Sequence, residues 1–282
     1  MSRALWLAHG RKDRHEGGMK AVCRACGGEV RPLGRAKVLR AHDVGYECCP
    51  HCDYIQTETP YWLEEAYKNP ITAQDTGSLE RVLTLADVTK VVLALVLGRR
   101  GRCLDYGGGY GVFTRRMRDL GVDFRWEDRY CENLLARGFE ARPGEKGFVL
   151  ATCFEVLEHV ERPRELLAEL LARADAVLVG TELNDGSRER FFEWPYVAAE
   201  HGQHVGFCGE RTLRRLADSL GVRVVSNGKS LHLFHRGNVP RARARLALAT
   251  RVSRVVAKLI RWDPLTRADH EFMRDAGTGA AK

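Results

Sequence analysis

The 282-residue sequence has no run of 18 apolar residues, so no membrane-spanning helix is expected. Residues 1–20 are polar and rich in Gly, Arg and His. They lack the apolar stretch of a secretory signal, which points to the cytoplasm. Without such a signal, nine cysteines read as thiols or metal ligands and not as disulfides. No internal repeat occurs, so solenoids and propellers are excluded. Positive charge is scarce in the middle of the chain. Residues 41–235 hold 24 Lys/Arg against 30 Asp/Glu, whereas 1–40 hold ten against three and 236–282 eleven against four. A nucleic-acid groove needs basic residues lining the core, so nucleic acid is not the expected partner.

What is present begins with glycine. Residues 104–111 read Leu-Asp-Tyr-Gly-Gly-Gly-Tyr-Gly, with Asp105 followed by glycines at 107, 109 and 111. An apolar stub leads in, and a helical pattern from Val112 leads out. A strand that ends in a Gly-rich turn at a helix N-terminus lets backbone approach a ligand without Cβ interference. Downstream, strands are expected at 102–106, 124–127, 139–142, 148–152, 176–180, 222–226 and 231–235. Helices are expected at 112–120, 131–137, 162–173 and 210–220, several closed by Gly. Upstream, a short helix is expected at 60–67 and a longer one at 78–97. Strands alternating with helices imply a doubly wound, mostly parallel sheet. The Asn227-Gly228 turn would give it an antiparallel edge.

The pattern Asp-x-Gly-x-Gly-x-Gly resembles motif I of class I S-adenosylmethionine (SAM)-dependent methyltransferases. The resemblance implies an α/β, Rossmann-like, seven-stranded sheet and SAM as cofactor. In open α/β sheets ligands bind at the carboxyl ends of strands. Asp105, Gly107, Gly109 and Gly111 stand at the end of the first strand. Glu127 and Asp128, 22 and 23 residues after Asp105, stand where an acid would hold the ribose hydroxyls. Asp128 is the first choice and Glu127 the second. Asp75 to Arg81 is a candidate cover for the methionine end.

Residues 153–163 read Cys-Phe-Glu-Val-Leu-Glu-His-Val-Glu-Arg-Pro. This resembles a stretch of many class I methyltransferases, including ubiquinone-pathway O-methyltransferases and small-RNA 3′-terminal 2′-O-methyltransferases. The resemblance implies Mg²⁺ at Glu155, Glu158 and His159, with His204 of Gly202-Gln203-His204 as a fourth ligand, and Glu155 is also a candidate contact to SAM. Without metal, Glu158 shapes the pocket and His159 or His204 is the general base, because imidazole titrates near neutrality. The same region carries Phe191, Phe192, Trp194 and Tyr196. These aromatics either stack on a sugar ring or flat acceptor, or plug the core.

Cys23-Arg-Ala-Cys26 and Cys49-Pro-His-Cys52 are two Cys-x-x-Cys knuckles with 22 residues between them. Four thiolates at this spacing suit tetrahedral Zn²⁺ in a ribbon, a closed and therefore structural site. Cys48 could replace Cys49, and His51 is a lesser alternative. A four-cysteine module ahead of this domain resembles the sugar C-methyltransferases of deoxysugar pathways. It resembles methyltransferases of bacterial glycan and natural-product clusters more broadly, over residues 21–235.

The resulting organisation is a disordered 1–20, a zinc ribbon at 21–58, a methyltransferase domain at 59–238, a basic amphipathic helix at 239–262 and a disordered tail at 263–282. The helix has an apolar stripe of Leu248, Val252, Val255, Val256 and Leu259 beside Arg251, Arg254, Lys258 and Arg261. It would dock on the domain or on a second subunit in a homodimer, or rest on an anionic membrane. The expected function is SAM-dependent O-methylation of a hydroxyl on a sugar, glycan or small metabolite. Alternatives are C- or N-methylation of a natural-product intermediate, metal-dependent RNA 2′-O-methylation, and a non-catalytic interaction protein on the same fold.

Overall fold

The computed structural model describes residues 21–68, 76–98 and 100–279, with side chains to residue 275. The expected disorder of 1–20, and Asp75, lie outside the described residues. So does the end of the tail, residues 280–282. Contacts divide the chain into two compact units. One comprises Met1–Thr72, Phe154–Ala172 and Val179–Arg236; the other comprises Ala73–Cys153, Arg173–Leu178 and Gly237–Lys282.

In the first unit, β1 (Arg31–Val38) and β2 (His42–Cys48) form an antiparallel hairpin, and β3 (Ile55–Thr57) pairs with β2. Alternating burial along β2 puts Val44, Tyr46 and Cys48 inward, as a half-buried strand requires. The short helix α1 (Leu63–Ala66) follows. The same sheet is completed by residues far along the chain: β8 (Gly206–Phe207) pairs antiparallel with β3. The cysteine-bearing segment 21–58 is therefore built into one unit with residues up to 236, and Val38, Val44, Tyr46, Trp62, Phe191 and Phe207 share a core.

The second sheet has six strands, ordered β5-β4-β6-β7-β10-β9. These are β4 (Cys103–Tyr106), β5 (Phe124–Glu127), β6 (Leu150–Phe154), β7 (Ala176–Gly180), β9 (Arg223–Ser226) and β10 (Leu231–His235). β4 runs parallel to both β5 and β6, and β10 is antiparallel to β9. β4 and β7 are buried at every position, the continuous burial of a sheet covered on both faces. The sheet is thus the expected Rossmann-like one with one strand fewer than seven. Residues 139–142 make only a single parallel bridge, Trp126 to Glu140. Pro143 and the positive φ of Gly138, Gly144 and Gly147 leave too little regular backbone for a strand. The helix expected at 131–137 is likewise absent and is replaced by turns. There Asn133 Oδ1 accepts the Ala136 N–H, a local bond that competes with helix.

The remaining helices are α2 (Ser78–Val91), extended by a wider π turn at Val92–Val96, then α3 (Val112–Asp119), α4 (Pro163–Arg173) and α5 (Glu210–Ser219). The expected single helix at 239–262 is two: α6 (Arg241–Ala247) and α7 (Thr250–Leu259). Ala249 is extended at the break, and the Ser253 hydroxyl donates to the Ala247 carbonyl that the break frees. The apolar stripe is docked only in part, with Leu248 buried and Val252 and Val256 half-buried. Ser253 and Ala257 are buried, while Val255 is 64% and Leu259 77% exposed. Small residues let α7 come close to α2, where Arg254 bonds Glu80 and Thr84.

The tail at 263–282 was expected to be disordered, yet Thr266–Gly279 forms α8. Its anchor is Asp269, which accepts from Arg118 Nε at 2.8 Å, Arg118 Nη2 at 2.7 Å and Arg115 Nη2 at 2.6 Å. A polar sequence can hold a helix when a buried, bidentate ion pair ties it down.

Candidate functional site

The glycine loop leaves β4 at Tyr106, and Gly107, Gly109 and Gly111 all take left-handed backbone, with φ of 74°, 53° and 84°. Gly111 then caps α3 with no side chain of its own, and the Asp105 carboxylate accepts a backbone N–H of the first turn, that of Thr114. Gly108 is equally constrained: a Cβ there would lie 2.6 Å from Trp126 Cδ1 and 2.8 Å from Asp105 Oδ2.

Asp105 sits beneath this loop, 3% exposed. Thr152 Oγ1 donates to its Oδ1 at 3.1 Å and Thr114 Oγ1 to its Oδ2 at 2.8 Å. Burial pushes its carboxyl up to about 6 against those two bonds. Asp105 therefore braces the loop from below. Trp126 braces it from the side, donating Nε1–H to the Gly109 carbonyl at 2.9 Å.

Asp128 and Glu127 separate sharply. Asp128 Oδ2 accepts the Gly109 N–H at 2.9 Å, and its Oδ1 accepts the N–H groups of Tyr130 and Cys131. A carboxylate offers about four acceptor positions, so Asp128 shapes the loop and keeps capacity for a ribose hydroxyl. Glu127 is engaged elsewhere: both Nη atoms of Arg173 close on it, at 3.1 and 2.6 Å. The loop's left-handed backbone and Asp128 together fit the ribose and methionine parts of SAM. Trp126, Thr114 and Thr152 went unnoticed in the sequence. A hydroxyl three residues into the helix after a motif acid was the faint signal for Thr114.

The second cluster lies wholly in the other unit. Glu158 and His159 stand on a short 3₁₀ turn after β6, Leu157–His159. His204 immediately precedes Val205, whose N–H bonds the Glu158 carbonyl at 2.8 Å. Glu158, His159 and His204 bring one ligand atom each to within 4.8 Å of one another. Glu155, expected with them, is not in that group. Its N–H bonds the Gly180 carbonyl, and its φ is 53°.

Glu158 is 1% exposed. Its Oε1 accepts the Tyr196 hydroxyl at 2.5 Å, and its Oε2 has no partner among the described residues. A buried carboxylate oxygen without a donor is costly. His204 Nδ1 lies 2.6 Å from the Tyr196 carbonyl. A carbonyl only accepts, so Nδ1 carries the proton and Nε2 keeps its lone pair. His159 Nδ1 meets the Tyr67 hydroxyl at 3.0 Å, and its ring lies 4.7 Å from that of His204, edge-on. Burial, and secondarily His204, push His159 well below the ordinary imidazole range. Burial first, then Glu158 and Glu155, push the Tyr196 phenol well above its own.

Mg²⁺ asks for a near-octahedral oxygen shell. One carboxylate and two imidazoles do not supply it and match imidazole-preferring ions instead. The residues do not fit Mg²⁺.

Gly202 is left-handed, φ 68°, and a Cβ there would meet Leu39 and Val38 at 2.9 Å. Trp62 Nε1 holds the Gly202 carbonyl at 2.8 Å, and Gln203 donates to the Ala66 carbonyl. The Gly-Gln-His sequence thus locks the approach to His204. Of the aromatic stretch, Phe191 is a core residue and Trp194 packs on that core. Tyr196 alone turns a polar atom to the cluster.

The four cysteines also converge. Cys23 and Cys52 sulfurs are 3.6 Å apart, as are Cys26 and Cys49, and all four lie within 4.8 Å. Zn–S bonds of 2.3 Å imply tetrahedral S···S edges of roughly 3.8 Å, so the set fits zinc. The hydrogen bond with Cys52 pulls the Cys23 thiol down to about 5. Cys48 and His51 are outside the group.

The chain matches the family described as Methyltransferase domain over residues 80–227. No curated protein matches it. Similar solved structures include Burkholderia thailandensis 1,6-didemethyltoxoflavin-N1-methyltransferase, with bound 1,6-didemethyltoxoflavin and S-adenosylhomocysteine. It is 17% identical over 68% of this chain and 93% of that one, with a TM-score of 0.45. Human N-acetylserotonin methyltransferase in complex with SAM is 15% identical over 63% and 66%, with a TM-score of 0.43. Magnesium protoporphyrin IX methyltransferase from Synechocystis, with bound S-adenosylhomocysteine, is 14% identical over 62% and 95%, with a TM-score of 0.41.

Proposed function

The chain belongs to the methyltransferase-domain family, and on that premise we propose that it methylates a hydroxyl of a sugar, glycan or small metabolite, with SAM as donor. One observation carries the choice of oxygen. Glu158 Oε2 is a buried acceptor without a donor among the described residues, and His204, whose Nδ1 is turned to the Tyr196 carbonyl, belongs to the same cluster of ligand atoms within 4.8 Å. A diol or polyol hydroxyl satisfies both: one O–H donates to Glu158, a second to His204.

SAM supplies an electrophilic methyl carbon on a sulfonium and leaves as the neutral thioether. The protein's part is to hold the acceptor oxygen and remove its proton. His204 Nε2 takes the hydroxyl proton as the oxygen forms its bond to the methyl carbon. Tyr196, donating to Glu158, keeps that carboxylate oriented, and His159 packs edge-on against the His204 ring. Positioning then accounts for much of the rate, as in other in-line displacements. Gly107, Gly109 and Asp128 are proposed to hold the donor, with Asp105 and Gly111 supporting that loop. The cysteines are proposed to hold a structural Zn²⁺. Arg251 and Lys258 beside exposed Val255 and Leu259 support a peripheral contact of α7 with an anionic membrane surface. Salt-sensitive binding to anionic vesicles tests that contact.

The test of the reaction is release of S-adenosylhomocysteine with a panel of sugars, glycans and hydroxylated metabolites. Turnover on a hydroxyl, independent of added Mg²⁺ and reduced about 100-fold in His204→Gln, is expected. Methylation of nitrogen or carbon, or full turnover by His204→Gln, would contradict the proposal.

A further inference from the structure

Arg24 lies between Cys23 and Cys26, inside the first knuckle. A residue at that place in a solvated ribbon would point outward. Arg24 instead runs inward, with its side chain only 16% exposed. Its backbone N–H bonds Gln56 Oε1 at 2.9 Å. Its Nη2 donates to the Thr57 carbonyl at 2.7 Å and to the Val205 carbonyl at 3.0 Å. Its Nη1 lies 3.7 Å from Glu161 Oε2.

The two ends of this fork reach the two segments that carry the Glu158–His159–His204 cluster. Val205 follows His204 directly, and Glu161 follows His159 by two residues. The Val205 N–H in turn bonds the Glu158 carbonyl. One guanidinium, issuing from between two cysteines, therefore meets the backbone of one strip at Val205 and a side chain of the other at Glu161, the two strips whose separation sets the distance from Glu158 to His204. We infer that Arg24 is a positioning residue that couples the metal-loaded knuckle to the geometry of that cluster. This rests on the reading of Glu158 and His204 as the acceptor site. A fork of this kind is specific to arginine: lysine offers a point charge that can meet Glu161 or the carbonyls, but not all three in one plane.

Removing the fork need not unfold the unit. The Val205 carbonyl also accepts the Thr57 N–H at 3.1 Å, so no buried acceptor is orphaned there. What is lost is the restraint between the strips. In an unrestrained loop His204 would leave the Tyr196 carbonyl and return to the Nε2-protonated form that neutral imidazole prefers.

The test uses full-length, zinc-loaded protein labelled with ¹⁵N in histidine. Imidazole nitrogen spectra report the tautomer directly, with His204 and His159 identified by His204→Gln and His159→Gln. Wild type is expected to show His204 protonated at Nδ1. Arg24→Gln is expected to lose that pattern while zinc content and S-adenosylhomocysteine affinity stay within twofold of wild type. Arg24→Lys is expected to recover it only in part. Should Arg24→Gln lose zinc or fail to fold, Glu161→Gln decides, because it leaves the knuckle intact: displaced His159 signals support the coupling and unchanged signals overturn it. Unchanged His159 and His204 spectra in a folded, zinc-loaded Arg24→Gln overturn it outright. Because no acceptor is needed, these outcomes are distinct from failure of the methyl-transfer reading, which absent S-adenosylhomocysteine binding by wild type would reveal.

Discussion

Arg173 closes both of its Nη atoms on the carboxylate of Glu127, at 3.1 and 2.6 Å, with the arginine side chain 4% exposed. The pair engages both Glu127 oxygens, and we propose that Glu127 stabilises the fold while Asp128 serves the cofactor ribose. Glu127→Gln should leave S-adenosylhomocysteine affinity within about twofold while lowering unfolding free energy by roughly 2 kcal/mol, the loss of a half-buried pair. Calorimetry and urea unfolding read the two effects separately. A large fall in affinity with unchanged stability would reverse the assignment.

Asp105 predicts a pH dependence. Its carboxyl is pushed up to about 6 by burial, with Asp128 adding to the rise and Thr114 and Thr152 opposing it. An acid whose folded value exceeds its unfolded one binds its proton more tightly when folded. Its stabilising share is present below the unfolded value, near 4, and is lost as pH rises through about 6. The apoprotein should therefore gain from Asp105→Asn as pH rises, by roughly 1.5 kcal/mol between pH 5 and pH 7.5. Urea unfolding of both proteins at the two pH values measures it. A difference independent of pH would mean that Asp105 is ionised without cost.

Cys48 and Cys49 are adjacent, and only the structure tells them apart. Cys49 joins the four-sulfur group, whereas Cys48 ends β2 and directs its Sγ to the Cys49 carbonyl. Cys49→Ala should abolish the zinc found by elemental analysis of purified protein, and Cys48→Ala should keep one ion per chain. Zinc surviving in Cys49→Ala would move the fourth ligand.

Asp269 holds α8 through Arg118 and Arg115. Asp269→Ala strips the buried Arg118 of one acidic partner, leaving Asp123 and the Phe124 carbonyl. The expected cost is roughly 3 kcal/mol, together with faster proteolysis at 266–275. Unchanged stability would show that α8 docks through its apolar contacts alone.

The parts of the fold written in short range were legible from the residues. β7 is a continuous apolar run, and the Asp-Gly loop after β4 is a contiguous octet. Glu158, His159 and His204 could be named because motif resemblance spans sequence distance that periodicity cannot. What was not legible depends on partners far apart. The Tyr196 hydroxyl on Glu158, Thr152 beneath Asp105 and Arg24 on Val205 are pairings that no local pattern encodes. The tail misled for the same reason, since Asp269 reads as a solvated acid until Arg118 is placed beside it. The lost strand at 139–142 shows the converse: apolar and extended propensity in Phe139 is overruled by glycines and a proline around it.

The most direct test of the central claim is calorimetric titration of S-adenosylhomocysteine into wild type and Asp128→Ala. Wild type is expected to bind with micromolar affinity and the variant to lose at least tenfold, because Asp128 bonds Gly109 and is proposed to take a ribose hydroxyl. Absent binding by folded wild type, or equal binding by both proteins, would contradict it.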